Sequence, residues 1–348
     1  MFSLSSLEHE ISNGDRSVSS MGETEGGVNG DLGAAGSEQQ SDNIVDASPT
    51  KDFFISMLVK DIGLTRAIID LVDNSVDGAR RTREGGDFSG LEVRIQTSPE
   101  HFQISDTCGG MSIELARKYA FRFGRPEQEP RVAHSVGQFG VGMKRALFKL
   151  GKKFIVQSTT RVSRFVIEED VDQWRAKEEW EFTFKSLQTG LDVPEPEQGT
   201  VIRVEILHKQ VADEFRQEKF KSQLYKELRD ALVDSVNRGL TITLNSIPLQ
   251  AYALVLLLSP EIRPAYEEML APSTPEVSVK LYAGLEKSDP SAAGWYVFCN
   301  GRLVLGADQS RTTGWGEDGL KTIPKFHNQY ARFRGYVFLE SDNSALLP

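Results

Sequence analysis

The stretch that decides the fold is TRAIIDLVDNSVDGARR, residues 65–81. Side chains three and four residues apart share one face of a helix, so Asp70, Asn74 and Asp77 line up. Ile69, Val72 and Val76 fall on the opposite side, with Leu71 flanking them. Such a helix buries one face and presents two acids and an amide on the other. Thr65 is the expected N-cap, and the helix should run to about Arg83, before Gly85 and Gly86. Taken alone, the polar row is an ordinary solvated face, and Asp73 beside it reads as a solvated acid, with a supporting partner behind Asp70 and Asn74 as the alternative.

Two segments further along change that reading. In ISDTCGGM, residues 104–111, a strand ends at Asp106 and runs into small residues that let backbone approach a ligand closely. In VGQFGVGMKRALFKLG, residues 136–151, Gly137, Gly140 and Gly142 lead into a helix whose free amides and positive dipole end suit a phosphate. There is no Gly-Lys-Ser/Thr ending, so this is not a Walker A loop. Without a parallel βαβ unit around it, it is not a dinucleotide fingerprint either.

Around these segments the pattern is that of an α+β protein. LEVRIQTS and HFQISD alternate apolar and polar residues about a turn at Pro99 and Glu100, a hairpin signature. KKFIVQSTT, RFVIEED, EWEFTFKS and GTVIRVEIL follow as strands, which gives helices on one face of a mixed, mostly antiparallel sheet. A helical stretch over residues 212–238 leads to LTITLNSIPLQ, and VSVKLYAGL, GWYVFCNGRLVL and FRGYVFLE supply strands for a second, smaller α/β domain. The boundaries expected are a disordered acidic tail over residues 1–50, a first domain over 51–208 and a second over 209–348, which reads as cut at its C-terminus.

Composition narrows the function classes. The formal charge of −10 is concentrated in residues 1–50, where nine Asp or Glu face the single Arg16, leaving about −2 for the rest. That balance gives no global electrostatic case for nucleic acid. Cys108 and Cys299 are too few for a disulfide framework or a four-ligand zinc site, and none of the five histidines has metal-ligand spacing. The longest apolar run, AYALVLLL, is far short of the ~20 residues that span a bilayer. A cytoplasmic protein without membrane segments is expected.

In this order and spacing, the three segments resemble the nucleotide-binding boxes of the GHKL (Bergerat-fold) ATPases: heat-shock chaperones, MutL, type II topoisomerases, MORC proteins and histidine kinases. GQFGVG is closest to the chaperone, MutL and MORC-like form. The resemblance covers about residues 65–205 and implies a Bergerat sandwich followed by a transducer-like domain, with ATP and Mg²⁺ as cofactors. Asn74 would ligate Mg²⁺, Asp106 would accept from the adenine amino group, and Asp77 would support the pocket. Gly110, Met111 and Thr200 would shape the base pocket. Gly137, Gln138, Phe139, Gly140, Val141, Gly142 and Lys144 would hold the phosphates on a lid spanning roughly residues 112–142.

Asp70 stands where the chaperone and MutL branch carries its catalytic glutamate, and the shorter side chain implies slow turnover. Cys108 replaces the first glycine of the family's DxGxG and reads as a small buried side chain. The function expected is a nucleotide-gated conformational and dimerisation switch, forming homodimers with ATP bound. The alternatives are a histidine-kinase-type phosphotransferase, for which no phosphorylatable histidine helix precedes Thr65, and a non-catalytic nucleotide sensor or scaffold. DNA as a partner follows only by analogy with relatives that act on it. The transducer lysine is not identified; Lys321 and Lys325 lie in the polar segment after Trp315.

Overall fold

The computed structural model describes residues 2–3, 47–123, 141–316, 323–324 and 328–347. The acidic tail, apart from its edges, and Gly137, Gln138, Phe139, Gly140, Lys321 and Lys325 lie outside the described residues.

Helix α1 spans Lys51–Lys60, capped by Thr50, whose side chain accepts from the Phe53 amide. Helix α2 spans Leu64–Thr82. It begins one residue before Thr65, and its N-cap is Gly63 in extended conformation, without a side-chain cap. Thr65 is therefore inside the first turn rather than its cap. Ala67, Ile68, Leu71, Val72, Val76 and Ala79 are buried along the apolar stripe. Each of the larger ones contributes roughly 1.5–3 kcal/mol of burial free energy as an upper bound.

The strands β1 (Glu92–Thr97), β2 (His101–Asp106), β3 (Gly151–Thr159), β4 (Ser163–Asp170), β5 (Phe184–Thr189), β6 (Gly199–Leu207), β7 (Thr241–Leu244) and β8 (Ile247–Pro248) form one eight-stranded sheet. Its order is β5-β4-β3-β6-β2-β1-β7-β8, antiparallel throughout except for β1 beside β7. Alternate residues such as Phe102, Ile104, Phe154, Val156, Ile202 and Val204 point into the core shared with α1, α2 and α3 (Gly142–Leu150). The other face carries charged side chains: Lys153 bridges Glu168 and Glu205, and Arg203 pairs with Glu205.

Helices α4 (Val171–Ala176), α5 (Lys209–Arg216), α6 (Glu218–Ala231) and α7 (Val233–Asn237) follow, so the stretch over residues 212–238 is broken into three helices. Val211, Phe215, Leu224, Leu228, Ile242 and Leu249 belong to the first core, which thus runs past residue 208, and β7 joins the first sheet. The EWEFTFKS strand starts only at Phe184, because the preceding residues fold the Trp180 and Phe182 rings onto Trp174.

A second sheet of five strands follows: β9 (Ala265–Ala271), β10 (Thr274–Leu285), β11 (Gly294–Cys299), β12 (Arg302–Asp308) and β13 (Phe333–Glu340). Its order is β9-β10-β13-β11-β12, with β11 parallel to β13. Val233 of α7 packs into its small core with Leu254, Tyr282, Phe298 and Tyr336.

Candidate functional site

The first two sequence segments and the described part of the third, residues 141–151, meet around α2. Asn74 is exposed on the site face, and its Nδ2 donates to the Asp70 carbonyl at 2.8 Å. With the nitrogen used inside the helix, Oδ1 has no partner among the described residues and is open to a ligand. A neutral oxygen donor standing clear of other groups fits Mg²⁺, which takes few protein ligands and keeps waters and phosphate oxygens. Among the described residues no cluster of three or more His, Cys, Asp or Glu could hold a metal ion by itself.

Asp70 lies one turn earlier, beneath the start of α3. A Cβ placed on Gly142 would lie 3.7 Å from the Asp70 Cβ. Its carboxylate is held by arginines from three directions. Arg145 Nη2 of α3 donates to Oδ2 at 2.6 Å, Arg66 Nε lies 3.2 Å from Oδ1, and Arg302 Nη1 of β12 lies 3.7 Å from Oδ1.

Asp73 corrects the sequence reading. It is buried rather than solvated, and Oδ2 accepts from Arg302 Nη1, itself buried. Burial pushes its carboxyl up to about 7 against the opposing pull of Arg302. Asp77 is buried as well, with Arg80 Nη1 3.8 Å from its Oδ1.

Asp106 ends β2 with its carboxylate shared among three donors. The amides of Cys108 and Thr200 donate to Oδ1 at 2.9 and 3.1 Å, and the Ser75 hydroxyl of α2 donates to Oδ2 at 2.8 Å. Burial raises its pKa while these three hydrogen bonds lower it. This ties the Asp106 turn to both α2 and β6. The Met111 amide donates to Ser158 Oγ at 2.7 Å, and that oxygen lies 3.0 Å from Thr200 Oγ1. Gly110, at φ +70°, presses so closely on the Thr159 carbonyl that a Cβ would collide with backbone. Asp106, Gly110, Met111 and Thr200 thus share one wall.

At the start of α3, Val141 and Gly142 lead into the helix as expected, Gly142 being its first residue. Lys144 is turned inward: it is 1% exposed, and its Nζ donates to the Ala120 carbonyl at 2.7 Å. That carbonyl closes a π-helical segment, Ala116–Ala120, which follows a single turn at Ile113–Leu115. The lysine thus anchors the segment after Met111. Cys108 is buried and free, and burial drives its thiol pKa upward, as expected of an inert side chain.

Sequence reasoning missed Ser75, Arg145, Ser158 and Arg302. Arg145 stands three residues after Gly142, so its place on the same helix face was available from spacing. Ser75 and Ser158 carry no sequence signal beyond their neighbours, and Arg302 carries none.

Comparison with protein families bears on this arrangement. Residues 62–200 match the model of the histidine kinase-, DNA gyrase B-, and HSP90-like ATPases. The match begins two residues before α2 and ends at Thr200, so it takes in Asp70, Asn74, Asp106 and Gly142. That span is similar to GHKL-type ATPase domains, which supports a nucleotide-binding role for it. A comparison with curated proteins returned no significant match. No helix among the described residues is long and apolar enough to cross a membrane.

Proposed function

We propose that the chain binds Mg-ATP in this pocket and hydrolyses it slowly, as a nucleotide-gated conformational and dimerisation switch closest to the MutL and MORC-like branch. The observation that carries the reading is the exposed, unpartnered Asn74 Oδ1 one helical turn from Asp70, which itself abuts Gly142 at the amide end of α3. Asn74 supplies the oxygen for the cation, and the Asp106 wall receives the base. When bound, the cation neutralises charge on the phosphates.

Asp70 accepts or orients the attacking water. Because Arg145 and Arg66 already occupy both of its oxygens, turnover is slow. The same observation favours a second reading, a nucleotide sensor that does not hydrolyse. A cytoplasmic location is supported by the two free, buried cysteines.

Incubation with labelled ATP separates the readings: label on free phosphate marks hydrolysis, label on the protein marks phosphotransfer, and label left on ATP marks a sensor. Asn74→Ala is expected to abolish ATP binding in calorimetry, whereas Asp70→Asn keeps binding and loses phosphate release. Undiminished ATP affinity in Asn74→Ala sinks the site assignment. Sedimentation with and without a non-hydrolysable ATP analogue reads out the dimer.

A further inference from the structure

The contact between the second sheet and α2 is built on a tight turn at Asn300 and Gly301. Both residues have positive φ, 45° and 70°, as a two-residue Asn-Gly hairpin requires. The turn is fixed within its own sheet. The Asn300 amide donates to the Leu339 carbonyl at 2.9 Å, its Nδ2 donates to the Ser341 carbonyl at 3.0 Å, and its Oδ1 accepts from the Ser341 amide at 3.1 Å. It is equally tight against the first domain: a Cβ on Gly301 would lie 2.5 Å from Asp234 Oδ2 and 2.8 Å from Arg80 Nη2. Arg80 also donates to the Asn300 carbonyl.

Arg302 follows directly. It leaves the hairpin for the turn of α2 that carries the site, holding Asp73 and standing 3.7 Å from Asp70. The pair is costly as a mere fastening. Among the described residues, Arg302 Nε and Nη2 and Asp73 Oδ1 are buried without a partner. A buried ion pair so incompletely satisfied contributes little net stability, and an apolar pair would serve as well. Its geometry is specific, however: it joins the Asn300-Gly301 hairpin to Asp70 and Asp73, which lie on the same turn of α2 as Asn74.

We propose that Arg302 is a positioning residue for the nucleotide site, supplied by the second sheet. It fixes the turn of α2 bearing Asp70 and Asn74, and nucleotide binding at that turn is transmitted through this side chain to the hairpin of residues 294–308. The inference rests on the reading of α2 as the nucleotide helix.

Hydrogen exchange on the full chain, with and without Mg²⁺ and a non-hydrolysable ATP analogue, tests it. In the wild-type protein the ligand should alter exchange both in α2 and in residues 294–308, the latter by roughly fivefold or more. In Arg302→Gln the α2 response should persist and the hairpin response should vanish. Arg302→Lys, which keeps the charge, should restore part of it. Arg80→Gln, which cuts the other hairpin contact, should leave it in place.

A wild-type hairpin response in Arg302→Gln, or its loss in Arg80→Gln alone, overturns the proposal. Should the single variant fail to fold, Asp73→Asn/Arg302→Gln leaves no lone buried charge, and a wild-type response there is equally fatal. An unresponsive α2 in the wild-type protein refutes the nucleotide reading itself. A responsive α2 beside an unresponsive hairpin refutes only the role of Arg302.

Discussion

Replacing Gly110 by alanine tests the close approach that shapes the candidate base pocket. Gly110 has φ +70°, and a Cβ there would collide with the Thr159 carbonyl and lie 3.1 Å from the Gly199 carbonyl. Two costs add. The left-handed conformation costs an alanine about 1–2 kcal/mol, and forcing the backbone of β3 and the Gly199 end of β6 apart costs about 1–3 kcal/mol more. Gly190 is the internal control, at φ +72° with nothing within 4 Å of its would-be Cβ, so Gly190→Ala bears only the conformational cost.

Urea unfolding should therefore place Gly110→Ala below Gly190→Ala by roughly 1–3 kcal/mol. The displacement also falls on the Ser158 and Thr200 hydroxyls that hold Met111, so ATP affinity should drop about tenfold or more in Gly110→Ala, which is about 1.4 kcal/mol, and remain unchanged in Gly190→Ala. Equal stability losses in the two variants would falsify the collision argument. Equal ATP affinities would detach Gly110 from the pocket.

Two further outcomes follow from buried charges. Asp73 faces Arg302, Asp70, Asp77 and Arg66, and burial carries its carboxyl from 3.8 to about 7. The folded chain then holds a proton that the unfolded chain releases between those values, so the residue's contribution to stability is greatest at acid pH and is lost as pH rises through about 7. The effect is up to about 4 kcal/mol; urea midpoints should fall more steeply from pH 5 to 8 in the wild-type protein than in Asp73→Asn, and parallel curves would show that Asp73 does not titrate there. Lys51 is buried with its ammonium donating to the carbonyls of Trp174, Lys177 and Glu179 at 2.8, 2.8 and 2.6 Å. Lys51→Met strands those acceptors and should cost about 3 kcal/mol, a melting temperature lowered by several degrees; an unchanged melt would mean water replaces the ammonium without loss.

The legible parts of this molecule were those written in local pattern. The α2 stripe, the β1-β2 hairpin and the glycine-led start of α3 each follow from spacing within a few residues, and Asp106 was placed by the end of its strand. What escaped was set by distant partners. Alternation marks Thr241–Leu244 as a strand but cannot say that its neighbour is β1, since either sheet would satisfy the same pattern. Asp73 looked solvated because its partner lies 229 residues away, and nothing near Arg302 in sequence advertises the hairpin that delivers it.

The polar row on α2 shows why such a face is ambiguous. Asp70 is covered by Arg145 of α3, Asp73 by Arg302 of β12, and Asp77 is buried beside Arg80 of its own helix. Only Asn74 stays exposed. Had the whole row been solvated, a ligand would compete with water at every member. With Asp70 covered by arginines and Asp73 and Asp77 buried, the member of the row left open is an uncharged amide oxygen, which needs no proton release and little desolvation to meet a hard cation.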